Sequence, residues 1–313
     1  MRGVGENYRD HYAPRMNWRV SLPITLNEQT RGAALVWEIV KYYTRRRGVL
    51  SLAAAIAYGF VRTGQELTVP DIQLIFAHPS YSDPQVRTLD RTPGMTLTLY
   101  QCRPESTGSI HAKSPDPVAA PAIRPNYLAD KLDRRTLVAG MKIARRIVNN
   151  SALDRYRAFE MNPGEKCQTD DELLEFARHY GQTAYHVVGT CKMGHDPMAV
   201  VDDQLRVHGL IGLRVVDASI MPTMTSGNTN APVIMIAEKG RRHGQSRGLA
   251  AGARGVARLA PSRRAEQDST ACARLVPRRV PDSLSTDRHR LGSGREHFVK
   301  KRYGTGTFRY FES

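Results

Sequence analysis

Apolar and polar positions along most of this chain follow two rhythms. Leu35, Ile39 and Tyr43 recur every fourth residue, which places them on one face of a helix over 33–43. Residues 51–61 read as a second helix, and Leu137, Met141, Ala144 and Val148 define another. Thr169 followed by Glu172 three residues later is a capping-box pattern. Leu173, Leu174 and Phe176 behind it predict a helix opening at 169. Strand-like runs are IQLIF at 72–76, the alternating MTLTLYQC at 95–102, and LRVV at 213–216. Proline-rich loops at 78–84 and 113–125 separate them, with the length of functional loops on a scaffold. The body is therefore mixed α and β.

Composition narrows the class. A chain of 313 residues has room for two domains, or for one large domain with a substantial core. No apolar run approaches the ~18–20 residues of a membrane span. The opening MRGVGENYRDHYAPR lacks the apolar stretch of a secretory leader. Cys102, Cys167, Cys191 and Cys272 are widely spaced, with no CxxC pair. Free thiols in a reducing compartment are expected, with no disulfide framework and no metal site, and hence a cytoplasmic location.

The net charge of +16 suggests nucleic-acid binding until it is placed along the chain. Residues 241–313 hold 17 Lys and Arg against 6 Asp and Glu, whereas residues 1–240 hold 29 against 24. The basicity belongs mainly to the tail. After Gly240 the apolar period is lost among Arg, Gly, Ser, Ala and Pro, so residues 241–313 are expected to lack a fixed structure. The change is abrupt and falls inside a helical pattern, as a shifted reading frame in a GC-rich gene would produce. A basic binding arm is the other reading of this tail.

Chemistry concentrates in 185–239. YHVVGTCKMG at 185–194 sets His186 beside a glycine-containing turn. Alone, this histidine reads as a packed residue. The run that follows changes that reading through Gly189-Thr190, Met193-Gly194, Val201-Asp202, Leu213-Arg214-Val215, Asp217-Ala218-Ser219, Met221-Pro222 and Gly227-Asn228-Thr229-Asn230. It resembles the C-terminal signature of the glucose-methanol-choline (GMC) flavoprotein oxidoreductases. GVGENYRDH at 3–11 and PNYLADKLDRRTLVAG at 125–140 are similar to upstream family segments, so the resemblance covers residues 3 to 240.

That resemblance implies an α+β fold: a substrate domain of antiparallel sheet and helices, joined to the C-terminal part of an FAD-binding domain. The expected divisions are 1–24 beside the FAD domain, 25–180 for substrate, 181–240 for catalysis and flavin contact, and 241–313 as the tail. It implies FAD as cofactor and a small-molecule alcohol as substrate, of the choline, aryl-alcohol or aliphatic-alcohol kind. His186 would be the base and Asn228 its partner on the substrate oxygen. Asp217, Ala218, Asn228, Thr229 and Asn230 would contact the cofactor. Residue chemistry agrees, because a neutral imidazole takes a hydroxyl proton near neutral pH and an amide can hydrogen-bond the oxygen as charge develops. Asn228 and Thr229 also suit a helix N-cap, and Asp217 a strand-end turn. His195 and His208 are expected in exposed loops, His78 on a substrate-side loop or the surface, and Cys191 and Met193 in the packed core. Val187 stands where the family commonly has proline.

The family's dinucleotide-binding fingerprint, GxGxxG after a strand, does not occur in this sequence. The chain thus reads as the C-terminal half of such an enzyme. It would act as a fragment, inactive by itself, or as one subunit of a split enzyme with a separate FAD-binding chain. A non-catalytic basic protein acting through the tail is the reading from another class.

Overall fold

The computed structural model describes residues 1–53, 55–83 and 88–252. In chain order its strands are β1 (Tyr12–Ala13), β2 (Arg15–Val20), β3 (Ala57–Val61), β4 (Ile72–Ala77), β5 (Tyr81–Asp83) and β6 (Thr88–Leu89). They continue as β7 (Gly94–Gln101), β8 (Ser109–His111), β9 (Ala122–Arg124), β10 (Arg157–Asn162) and β11 (Gln182–Thr183). The α-helices are α1 (Leu26–Gln29), α2 (Gly32–Arg45), α3 (Lys131–Val148), α4 (Asp170–Tyr180) and α5 (Asn230–Gly252). No helix among the described residues is long and apolar enough to cross a membrane.

Five strands make one antiparallel sheet in the order β10-β2-β7-β4-β3. The period of two sorts its side chains between two faces. Met16, Trp18 and Val20 of β2, Ile72 and Leu74 of β4, and Met95, Leu97 and Leu99 of β7 are buried in one core. Onto this face α3 lays Leu137, Val138, Met141, Ala144 and Val148, and α4 adds Leu173, Phe176 and Ala177. Each of the Val, Leu, Ile, Phe and Met side chains contributes about 1.5–3 kcal/mol on burial, so this layer fixes the position of the sheet. Helix α3 comes close at Gly140, where a Cβ would lie 2.9 Å from both Ile72 Cδ1 and Leu99 Cδ1. The half-buried pair Arg145–Glu160 ties α3 to β10, with Nη2–Oε1 at 2.8 Å and Nε–Oε2 at 3.0 Å.

The helix starts follow local chemistry. Asp130 caps α3 by accepting from the Leu132 amide at 2.7 Å. Thr169 and Glu172 form the expected reciprocal box at the start of α4: Thr169 Oγ1 accepts from the Glu172 amide, and Glu172 Oε2 from the Thr169 amide.

The opposite face of the sheet carries the site. Phe60 pairs with Gln73 across β3 and β4, and Gln73 with Tyr100 across β4 and β7, so the three form one cross-strand row. A second apolar cluster lies in the C-terminal part, where Val188, Val201, Leu205, Val207, Ile220, Met221, Met224 and Ile236 pack together.

Three expected elements differ. Residues 51–61 are not a helix: a 3-10 turn at Val49–Ser51 is followed by edge strand β3. The open edge of β4 offers five paired positions, from Ala57↔Phe76 to Val61↔Ile72, and sheet pairing overrides the helical preference of the alanines. LRVV at 213–216 forms no strand. It returns as an irregular segment on 205–207, with Val207 N donating to Leu213 O and Val215 N to Leu205 O, while Val215 and Val216 pack on the second cluster. Nor does the last helix stop near Gly240. It continues to Gly252, because a helix already formed adds residues without a new nucleation cost. Gly240 is buried there, where a Cβ would lie 2.3 Å from Val216 Cγ1. The rest of the tail expected to be unstructured lies outside the described residues.

Candidate active site

His186 is positioned by the N-terminal segment. Tyr12 and Ala13 of β1 pair with Thr183 and Gln182 of β11, and the Ala184 amide donates to His11 O at 2.8 Å. Beyond this point Arg9 and Val188 exchange both backbone hydrogen bonds, at 2.9 and 3.0 Å. Between the two pairings the chain bulges at Tyr185 and His186. Tyr185 has φ 61°, a left-handed conformation uncommon for an aromatic residue, and its amide donates to Thr183 Oγ1 at 2.8 Å. The bulge is closed by Asp10. Its Oδ1 accepts the His186 amide at 2.9 Å, and its Oδ2 accepts from Tyr127 at 2.6 Å and from Thr183 Oγ1.

Gly189 completes the turn with φ 92°. A Cβ there would lie 2.3 Å from the Asn7 carbonyl oxygen. Asn7 in turn donates from Nδ2 to the carbonyls of Gly189 and Pro222, at 3.3 and 3.1 Å. Residues 3–11 therefore clamp the histidine loop to the segment after Asp217.

Four side chains then form a row. His11 Nε2 lies 3.0 Å from the Cys102 carbonyl oxygen, and His11 Nδ1 lies 2.9 Å from His186 Nδ1. His186 Nε2 lies 3.3 Å from Asn228 Nδ2, and Asn228 Oδ1 accepts from Gln73 Nε2 at 3.0 Å. His11 stacks on Tyr100 with centroids 4.3 Å apart, and both rings meet His186 edge-on. His11 is fully buried, His186 half-buried and Asn228 exposed, so the row reaches an open surface at Asn228 before it returns to the interior at the buried Gln73. Burial lowers the pKa of His186 below the usual imidazole value, against the opposing charge of Asp10. Burial and the neighbouring His186 also lower that of His11, which stands at about 4 against the raising effect of the Cys102 carbonyl.

Residues 104–237 match the GMC oxidoreductase family. Relatives align over three quarters of the chain. An oxygen-dependent choline dehydrogenase of Cronobacter sakazakii is 39% identical over 249 residues, 76% of this chain and 42% of the relative. This is a GMC oxidoreductase chain. It is also 39% identical to an alcohol dehydrogenase [acceptor] of Pseudomonas putida, over 75% of this chain and 43% of that one. The GMC chain thus spans about two fifths of the length of the curated relatives it matches. Among solved structures, pyridoxine 4-oxidase from Mesorbium loti is similar with a TM-score of 0.64 and 26% identity, covering 78% of this chain and 44% of that one. A formate oxidase variant of Aspergillus oryzae shares the fold with a TM-score of 0.70 and 22% identity, covering 80% of this chain and 48% of the other.

The residues expected from the GMC signature divide by position. His186 and Asn228 are brought together. Thr229 is buried and precedes α5, with its carbonyl accepting from the Val233 amide at 3.0 Å, while Asn230 opens the helix at the surface. Asp217 is exposed and caps the 3-10 turn Ala218–Ile220, accepting the Ser219 amide at 2.8 Å. That is the local turn role, although no strand precedes it. The Ala218 carbonyl accepts from the Gly189 and Met221 amides, at 3.4 and 3.2 Å. His195 and His208 are exposed, and Cys191 and Met193 pack on the second cluster, as expected. His78 is not part of the row. It follows β4 at the end away from Gln73, about 16 Å along an extended strand, and its Nδ1 is buried without a partner.

Asp10, His11, Gln73 and Tyr100 are the residues that sequence reasoning missed. Asp10 and His11 close the GVGENYRDH segment, and an Asp-His pair next to a family motif was the available signal. Gln73 and Tyr100 carried a fainter one: each stands on the face of its strand opposite the apolar residues.

Proposed function

We propose that this chain forms the substrate side of an FAD-dependent oxidoreductase acting on the CH–OH group of a small-molecule alcohol. The observation that carries the reading is the approach of His186 Nε2 to Asn228 Nδ2, 3.3 Å apart where the row meets the surface. A hydroxyl seated beside both atoms, in place of their mutual contact, would give its proton to the imidazole and accept a hydrogen bond from the amide. The lowered pKa of His186 keeps its ring neutral, and so able to take that proton, near neutral pH. Choline and other alcohols, which appear in the relatives' names, are the first substrates to try.

FAD, when bound, supplies the acceptor for the hydride leaving carbon. The residues present fit its flavin end. The first-turn amides of α5 point out of the helix beside Asn228, a setting that favours negative charge, and Asn230 is exposed there. They do not provide for the adenosine end, because every pairing between named strands among the described residues is antiparallel. A dinucleotide-binding βαβ unit would therefore come from another part of a longer protein or from a separate chain.

The test mixes the purified chain with FAD, the FAD-binding half of a choline dehydrogenase relative, and choline or a primary alcohol, without oxygen. Bleaching of the flavin is expected, and its loss in His186→Ala. If no alcohol bleached the flavin while the intact relative did so in parallel, the reading would fail.

A further inference from the structure

We propose that His11 and Gln73 are positioning residues which, from opposite ends of the row, hold His186 in the tautomer with its proton on Nδ1 and its lone pair on Nε2. The inference rests on reading His186 as the base, and it adds how a base with two ring nitrogens is made to face substrate with the right one.

The Cys102 carbonyl can only accept, so His11 Nε2, 3.0 Å away, carries a proton. A neutral His11 then has its lone pair on Nδ1. The 2.9 Å contact between the two Nδ1 atoms needs one proton between them, and His186 must supply it. That leaves Nε2 of His186 unprotonated, on the side that faces Asn228. A charged His11 would break this logic, but its burial and its histidine neighbour keep the ring neutral down to about pH 4. The ring cannot turn to exchange its nitrogens, because it is fully buried and stacked on Tyr100 at 4.3 Å.

The other end is compatible with this tautomer. Gln73 is buried on the site face of β4 and donates from Nε2 to Asn228 Oδ1 at 3.0 Å. This turns the donor end of the Asn228 amide toward His186 Nε2 at 3.3 Å. Donors and acceptors therefore alternate without conflict from Gln73 to the Cys102 carbonyl. Reversing either imidazole would set two donors or two acceptors face to face, an unpaired buried contact worth about 1–3 kcal/mol.

The row also balances when His186 acts. The hydroxyl proton passes to Nε2, the Nδ1 proton stays in place, and His11 Nδ1 continues to accept it. His11 thus plays the orienting part of a triad's third member without carrying charge, while the nearby charge of Asp10 favours the imidazolium.

Nitrogen-15 NMR of the histidine-labelled full chain near pH 8 reads the tautomer directly, with no flavin or substrate present. The His186 signals, identified by their loss in His186→Gln, are expected to show a protonated Nδ1 and an unprotonated Nε2. His11→Phe keeps a ring against Tyr100 but removes the acceptor, and a population with Nε2 protonated should emerge. His11→Gln, whose amide oxygen can accept, should restore the single form. Gln73→Leu frees the Asn228 amide to turn and should also admit the second form, which gives a test of positioning if His11→Phe does not fold. A protonated Nε2 in the parent chain would overturn the proposal, as would a His186 tautomer unchanged in the folded variants. A correct tautomer in a chain whose complemented flavin is not reduced by alcohols would leave this inference standing and remove only the proposed reaction.

Discussion

Asp10 holds His186 by its backbone: Oδ1 of the buried carboxylate accepts the histidine amide at 2.9 Å, across 176 residues of sequence. The same carboxylate accepts from Tyr127 and Thr183, so one side chain fixes the place where β1, β11 and the loop before α3 meet. The orientation of the imidazole therefore depends on a group that does not touch its ring.

Asp10→Ala strands three part-buried donors. It is expected to lower stability by about 3 kcal/mol, the scale of lost hydrogen bonds to a buried charge. Urea unfolding followed by tryptophan fluorescence measures this. A change below about 0.5 kcal/mol would show that these donors find water instead.

Gly189→Ala places a methyl 2.3 Å from the Asn7 carbonyl oxygen at a φ of 92°. Both sterics and backbone conformation oppose it, and a loss of about 2–3 kcal/mol is expected. Thermal unfolding tests the value. Because the clamp formed by Asn7 must open, the His186 NMR signals should also shift, and an unmoved spectrum would separate the clamp from the histidine.

Acid should destabilise the protein through His11. Its folded pKa of about 4 lies below the ordinary imidazole value of about 6.5. The contribution of the neutral buried ring is thus complete above about pH 6.5 and is lost as the pH falls from there toward 4. The unfolded chain takes up the proton over this window while the folded chain does not. The full difference is on the order of 3 kcal/mol. Urea midpoints at pH 7, 5.5 and 4 should fall for the parent and fall less for His11→Phe. Equal slopes for the two would place the acid sensitivity elsewhere.

For the proposed reaction, His186→Ala should slow anaerobic flavin reduction by roughly 10²–10⁴-fold in the complemented enzyme. Asn228→Ala should slow it by roughly 10²-fold, the effect of one lost donor at a developing alkoxide. With the pKa of His186 lowered by burial, the acid limb of the rate should lie below about pH 6.5. Stopped-flow reduction at saturating alcohol measures all three. A parental rate in His186→Ala would return this histidine to a packing role.

The elements legible in the sequence were those written among near neighbours. Thr169 and Glu172 are three residues apart, the α3 stripe repeats within one helix, and β7 alternates within eight residues. His186 and Asn228 were legible because each lies in a dense motif. The misread segments were those where a distant partner decided the outcome. Residues 57–61 became a strand because β4 had an open edge, and 213–216 did not because their pairing with 205–207 is confined to the single bridge Arg206↔Arg214.

By itself, then, the sequence determined the α4 capping box, the apolar faces of α3 and β7, the family signature and the two residues proposed to meet the substrate. The expected face of Leu35, Ile39 and Tyr43 on α2, by contrast, is largely open to solvent, and the buried residue of that helix is Glu38. Only the tertiary structure decided what stands behind them. His11 lies 175 residues from His186, and Gln73 lies 155 from Asn228. Their pairing depends on strand register and on which side-chain nitrogen donates. Both are settled only when the chain closes and every buried donor must find an acceptor, a condition that no local stretch of sequence can express.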